Sequence, residues 1–136
     1  MKFLCDQMCG GLGKWLRIAG YDTLIIETSM PDQKIWQMAR DEKRTLLTRD
    51  THFLEMGGDH VIVLQGNTIE ECAEELIHKI GIDWLYAPFS RCLICNNGLT
   101  AMSGPYWYCL HCHKMYWDGS HTKRMLQQLH KWQEAV

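Results

Sequence analysis

The stretch Thr45-Leu46-Leu47-Thr48-Arg49-Asp50 decides the fold. Thr45 to Thr48 is apolar or β-branched throughout, too short for a helix and suited to a buried strand. It ends abruptly in Arg49 and Asp50, which sets a charged pair just past the carboxyl end of a central strand. In open parallel sheets ligands bind at that edge, because loops and helix N-termini converge there. A strand over Lys2 to Cys5 ends in Asp6, and one over Thr23 to Ile26 leads on to Asp32. The first two-thirds of the chain therefore reads as a frame that brings three aspartates together.

Outward from that stretch, strands and helices alternate. Gly10, Gly11 and Gly13 give a flexible turn before a helix over Lys14 to Ala19, which Gly20 stops. Ser29-Met30-Pro31-Asp32 signals a second helix start, with Ile35, Met38 and Ala39 on one face through Arg40. A short helix around Phe53 to Met56 breaks at Gly57-Gly58, and Val61 to Leu64 reads as a fourth strand. Thr68 and Glu71 have capping-box spacing and open a helix with Ile69, Cys72, Ala73, Leu76, Ile77 and Ile80 inward. This alternation predicts an α/β fold: a central parallel sheet with right-handed crossovers and helices on both faces. Gly81 to Ser90, with Pro88, reads as a link. The expected division is an α/β domain over residues 1–85 and a small metal unit with a C-terminal helix over 89–136.

A chain of 136 residues with 46% hydrophobic and 22% charged residues can bury a real core. Asp6 comes too early for a signal peptide, and no apolar run approaches a bilayer span. The expectation is a cytoplasmic protein with no membrane contact. The net charge of −2 hides an asymmetry: residues 1–88 carry −5, residues 89–136 carry +3 and four of the seven histidines. Bulk charge does not recruit nucleic acid here, so any such contact is patchy.

Cys92-x2-Cys95 and Cys109-x2-Cys112, thirteen residues apart, form the strongest motif. Each knuckle offers two thiolates to one ion, and four thiolates make a closed, structural zinc site. So small a unit buries too little apolar surface to fold without it. Two disulfides or an iron–sulfur cluster are the alternatives for the same thiols, and His111 or His113 could substitute as ligands. Cys5, Cys9 and Cys72 read as ordinary thiols. Tyr106, Trp107, Tyr108, Tyr116 and Trp117 flank the second knuckle, either as a base-stacking surface or as the core of a tiny ribbon. Alternation of faces leaves at least one ring exposed.

Asp6, Asp32 and Asp50 each follow a strand, so parallel strands carry all three to one edge of the sheet. Gathered carboxylates repel unless a cation neutralises them, and oxygen-only ligands select Mg²⁺ or Mn²⁺. Such an ion activates water and stabilises charge on a phosphate. Arg49, with Lys14 and Arg17, is placed to hold a phosphodiester backbone. Each residue also has a plainer role open to it. Asp32 and Asp50 suit helix caps, and Lys14 and Arg17 suit a solvated helix face. Asn67 occupies the same edge as a weaker substrate contact. No partner is evident for His52 or His60.

At these residues the chain resembles the Mut-seven C-terminal RNase domain family, a PIN-like nuclease fold fused to a zinc ribbon. The resemblance rests on Lys2-Phe3-Leu4-Cys5-Asp6, Gly10-Gly11-Leu12-Gly13-Lys14-Trp15-Leu16-Arg17, Gly20-Tyr21-Asp22-Thr23 and Leu46-Leu47-Thr48-Arg49-Asp50. It continues through Phe89-Ser90-Arg91-Cys92, the second knuckle and Tyr116-Trp117-Asp118-Gly119-Ser120-His121. It implies that Asp6, Asp32 and Asp50 fall on the acidic positions of a PIN-like metal site, and Lys14 and Arg17 on its basic helix. PIN nucleases commonly carry four acids, and here His52 stands where many relatives have another carboxylate. The implied activity is Mg²⁺- or Mn²⁺-dependent hydrolysis of single-stranded or loop RNA, with the ribbon aiding RNA or partner binding. The competing readings are an RNA-binding module without cleavage and a protein-interaction adaptor of a regulatory pair. No motif assigns an oligomeric state or a role to Gly119-Ser120-His121.

Overall fold

The computed structural model describes residues 1–102, 106–117 and 119–134. Four parallel strands, β1 (Lys2–Cys5), β2 (Asp22–Ile25), β3 (Thr45–Thr48) and β4 (Val61–Val63), form one sheet in the order β2-β1-β3-β4. Cys5 pairs with Ile25 on one side and Leu47 on the other. The chain steps from β1 outward to β2, then back across to β3. The order of strands therefore reverses between β1 and β3, and a crevice opens at their carboxyl ends.

Alternation along the strands builds two cores. Phe3, Cys5 and Leu47 face one layer, holding α1 (Gly10–Ile18) and α4 (Ile69–Ile80) through Leu12, Leu16, Cys72, Ala73 and Leu76. Leu4 and Leu46 face the other, against α2 (Asp32–Asp41) and α3 (His52–Met56) through Ile35, Ala39 and Phe53. The three-layer α/β architecture expected from the alternation is thus present.

Several local expectations are corrected. The glycines at 10, 11 and 13 belong to α1 itself, which begins at Gly10. Helix α1 lies so close to β2 that a Cβ at Gly13 would sit 2.8 Å from Ile25 Cγ1. Glycine there buys a close helix–sheet approach. Ile69, expected inward, is exposed at the start of α4. The Thr68 hydroxyl accepts from the Glu71 amide as a cap should, but the Glu71 carboxylate reaches the Asn67 amide rather than that of Thr68.

The expected link after Gly81 is a packed strap. Trp84 and Ile82 are fully enclosed, and the Ala87 and Phe89 amides donate to the carbonyls of Ala19 and Ile18. Gly20, at φ +100°, lets this strap approach, since a Cβ would fall 2.3 Å from the Ala87 carbonyl oxygen.

A second, antiparallel sheet runs β5 (Thr100–Ala101), β6 (Tyr106–Tyr108) and β7 (Met115–Trp117). Helix α5 (Ser120–Glu134) then returns to the first core. Leu129 and Trp132 join the cluster of Phe3 and Leu16, and the Trp132 ring meets Trp15 and Trp84 edge-on at 4.8 and 5.0 Å. A boundary between residues 85 and 89 therefore cuts through a shared core: α5 completes the α/β layer. Among the described residues no helix is long and apolar enough to cross a membrane.

Trp132→Ala is expected to destabilise the whole chain by about 3–5 kcal/mol, the usual cost of emptying an aromatic core site. Urea unfolding followed by far-UV circular dichroism measures it. A loss below 1 kcal/mol would mean that α5 is only loosely attached.

Candidate active site

The carboxyl ends of β1 and β3 carry Asp6 and Asp50, and the start of α2 carries Asp32. All three aspartates line one cleft of about 140 Å³, together with Gln7, Met8 and Ser29. The sheet topology places the first two side by side. A hydrogen-bonded chain then ties in the third.

Asp6 is 7% exposed and caps a 3-10 turn over Gln7–Cys9, its Oδ1 accepting from the Cys9 amide at 3.1 Å. Its Oδ2 accepts from the Thr48 hydroxyl at 2.5 Å. The Thr48 oxygen in turn accepts from the Asp50 amide at 3.0 Å, so one buried hydroxyl serves as donor and acceptor between two strands. Asp50 Oδ1 accepts from the His52 amide at 2.9 Å. The His52 imidazole Nδ1 lies 2.9 Å from Asp32 Oδ2. Asp6, Thr48, Asp50, His52 and Asp32 thus form one connected series.

Thr48 and His52 are the members sequence reasoning missed. Thr48 read only as a strand residue, and nothing local in the sequence shows that its hydroxyl points at a carboxylate 42 positions away. His52 was without a partner because Asp32 lies twenty residues earlier in the chain, on a different helix. Asp6, the least easily explained of the three as a structural residue, caps the 3-10 turn.

Arg17 is corrected. It is 4% exposed, with Nε on the Thr23 carbonyl at 2.9 Å and Nη1 on the Leu93 and Ile94 carbonyls at 3.0 Å each. Burial pulls its pKa down, opposed by Glu27 and by the thiols of Cys5, Cys95 and Cys92. A guanidinium so enclosed is a strut between α1 and the first knuckle, not a contact for a phosphodiester. Lys14 is exposed on α1 and does not line the carboxylate cleft. Arg49 is exposed, with Nη2 3.3 Å from Asn67 Oδ1.

The four cysteines converge. The Sγ atoms of Cys92, Cys95, Cys109 and Cys112 all lie within 4.8 Å of one another, with Cys92–Cys112 at 3.5 Å and Cys95–Cys109 at 3.4 Å. All four are free thiols, so the disulfide alternative falls. A tetrahedron with 2.3 Å metal–sulfur bonds has an edge of about 3.8 Å, so the cluster fits a zinc ion. Burial would raise the Cys95 thiol, but hydrogen bonds from Asn97 and the neighbouring sulfurs draw it down to about 5. The Lys114 amide draws Cys112 down, yet desolvation and the sulfurs of Cys92, Cys109 and Cys95 push it up to about 12. Thiolates 3.4 to 3.5 Å apart repel one another, so a cation between them favours their charged form.

Among the described residues, these thiols are the group of three or more ligating side chains that closes to this distance. The three carboxylates share their cleft without closing that far. Their oxygen donors suit a hard divalent cation, and Asp6, Asp32 and Asp50 are the side chains that would hold it.

The ribbon aromatics divide. The Tyr116 hydroxyl accepts from the Leu93 amide and lies 3.1 Å from Cys92 Sγ, Trp107 packs on Phe89, and Tyr106 is exposed. Trp107 and Tyr116 thus pack within the ribbon, while Tyr106 faces solvent. The Trp117 side chain and Asp118 lie outside the described residues.

The Asp32 carboxylate, through its hydrogen bond, raises the pKa of the His52 imidazole above the ordinary 6.5. A raised value means that the pair stabilises the fold fully below about pH 6.5 and loses this contribution as pH rises through the folded value. An NMR titration should show the His52 midpoint above 6.5 and returning to it in Asp32→Asn. An unchanged midpoint would show that the pair does not form in solution.

No curated protein and no solved structure matches the chain. The family model described as Mut7-C RNAse domain matches residues 1–129, taking in the carboxylate cleft, the knuckles and most of α5, so the chain belongs to the Mut7-C RNAse domain family.

Proposed function

We propose that the chain is a divalent-metal-dependent ribonuclease that hydrolyses single-stranded or loop RNA at the Asp6–Asp32–Asp50 cleft. The observation that carries this reading is the connected series from Asp6 to Asp32 at the switch point of a parallel sheet, in a chain of an RNase family. Three acids lining one cleft give it a set of oxygen donors of the kind that suits a hard divalent cation. A bound Mg²⁺ or Mn²⁺ supplies Lewis-acid stabilisation of phosphate charge and a water of lowered pKa. The Thr48 hydroxyl holds Asp6 Oδ2, and the His52 amide holds Asp50 Oδ1, so both carboxylates are oriented before any ligand arrives. Arg49, exposed and lining the recess that shares Met8 with the cleft, offers a guanidinium to the backbone of the substrate. The substrate is RNA, and the structural ion is zinc, held by Cys92, Cys95, Cys109 and Cys112.

A second reading, an RNA-binding module that does not cleave, is favoured by one observation: the His52 imidazole occupies Asp32 and the carboxylates stand apart. Cleavage separates the two. Wild-type protein with Mn²⁺ should cut a single-stranded RNA, and Asp6→Asn and Asp50→Asn should each reduce the rate at least 100-fold. Because the carboxylates act as a unit, the double variant should lose little more than either single one. RNA retention without cleavage would sink the ribonuclease reading in favour of the binding module.

Zinc removal tests the structural ion. Arg17, Asn96 and Arg91 bind the first knuckle to the α/β layer, so its collapse should lower the urea midpoint of the whole chain in one transition. Loss of ribbon signal alone, with the main transition unmoved, would show that knuckle docking contributes no stability.

A further inference from the structure

Next to the carboxylate cleft lies a second recess of about 130 Å³, and the exposed Met8 side chain lines both. The recess has an apolar side, from Met8, Leu12 and Ile69, and a polar side, from Arg49 and Asn67. We infer that this recess is a nucleobase subsite, which receives one unpaired base of an RNA strand whose adjoining phosphate lies in the carboxylate cleft.

This rests on the ribonuclease reading and adds to it where the strand runs and what holds it. A nucleobase has two apolar faces and a polar edge, and it needs a pocket of the same division. Met8 is 66% exposed and Ile69 37% exposed, so both offer apolar surface at the mouth of the recess. Flat ring surfaces are what such side chains cover best, and base contacts of this kind tolerate every base. The hydrogen bond from Arg49 Nη2 to Asn67 Oδ1 fixes the polar side, leaving the remaining guanidinium hydrogens and the Asn67 amide hydrogens as donors toward acceptors on the base edge or its phosphate. Cys9 also lines the recess, and burial pushes its thiol up to about 12, so it adds no charge.

Gly11 keeps the recess open. A Cβ there would lie 3.2 Å from Ile69 Cδ1, the far end of a partly exposed and movable side chain. A larger residue at this helical position can therefore be accommodated by the fold while filling the recess. The base must be unpaired to enter, which makes single-stranded RNA the substrate class that fits.

The test uses the full zinc-loaded chain and a set of single-stranded RNA hexamers, each with one abasic position, without added Mg²⁺ or Mn²⁺. Fluorescence anisotropy gives the affinity of each. Removing the base at one position should weaken binding about tenfold, the scale of one lost base contact, with small effects elsewhere. Gly11→Leu and Asn67→Ala, checked for native circular dichroism, should bind the intact hexamer as weakly as wild type binds that abasic one. Both should also be indifferent to the missing base. A flat abasic scan in a protein that still cleaves RNA with Mn²⁺ overturns the subsite and leaves the ribonuclease reading standing. A position-dependent loss without cleavage upholds the subsite and sinks the ribonuclease reading. No binding of any hexamer overturns the subsite outright.

Discussion

The parallel register of β1 against β3, with Cys5 beside Leu47, is the constraint on which the cleft depends. It sets Asp6 and Thr48 at matching heights just beyond the paired residues. The Thr48 hydroxyl can then bridge the Asp6 carboxylate and the Asp50 amide. A slip by one residue would turn Thr48 to the opposite face of the sheet and break the bridge. Packing supports the register: Leu46 and Leu47 fit opposite cores, so a slip would set each against side chains that pack around the other. Hydrophobic packing thus fixes the geometry of a polar site that makes up little of the core.

The join between the two sheets relies on a different force. Arg17 carries a charge into a nearly enclosed position, which is tolerated only because Thr23, Leu93 and Ile94 carbonyls accept its hydrogens. Around it, the Asn96 amide takes the Thr23 N–H and gives a hydrogen to Asp22, which Arg44 also holds at 2.8 Å. These contacts sit at the amino ends of β1 and β2, the edge opposite the aspartates. The knuckle is therefore built into the back of the α/β layer, away from the carboxylate cleft.

Periodicity made the sheet, the four strands and the presence of helices on both faces legible, because each is a repeating pattern of burial. The cysteine knuckles were equally legible, because ligand spacing is written locally. What the sequence hid depends on meetings across long separations. Arg17 reads as a substrate-binding cation, or else a solvated one, until Leu93 and Ile94 return 76 and 77 residues later to cover it. Trp132 reads as the end of an appendage until it is found between Trp15 and Trp84. His52 reads as a loop residue until α2 brings Asp32 to it. Each miss is a long-range contact made by a single side chain, for which no period exists to be detected.

Helix α1 connects these two ends of the molecule. It starts directly after the 3-10 turn that Asp6 caps, and one helix later Arg17 reaches the knuckle. Nine residues at 1.5 Å each give a rod of about 13 Å. Gly13 seats it against Ile25 too tightly for it to slide without clashing. Any change in the knuckle that moves the Leu93 and Ile94 carbonyls must therefore either strip Arg17 of its acceptors or carry α1 with it. The first leaves a buried charge uncompensated, which costs more than a small helix displacement. Displacement of α1 would in turn shift the turn whose Cys9 amide orients Asp6. Among the described residues none of the ribbon lines the carboxylate cleft, and α1 is the element that meets the knuckle at one end and adjoins the Asp6-capped turn at the other.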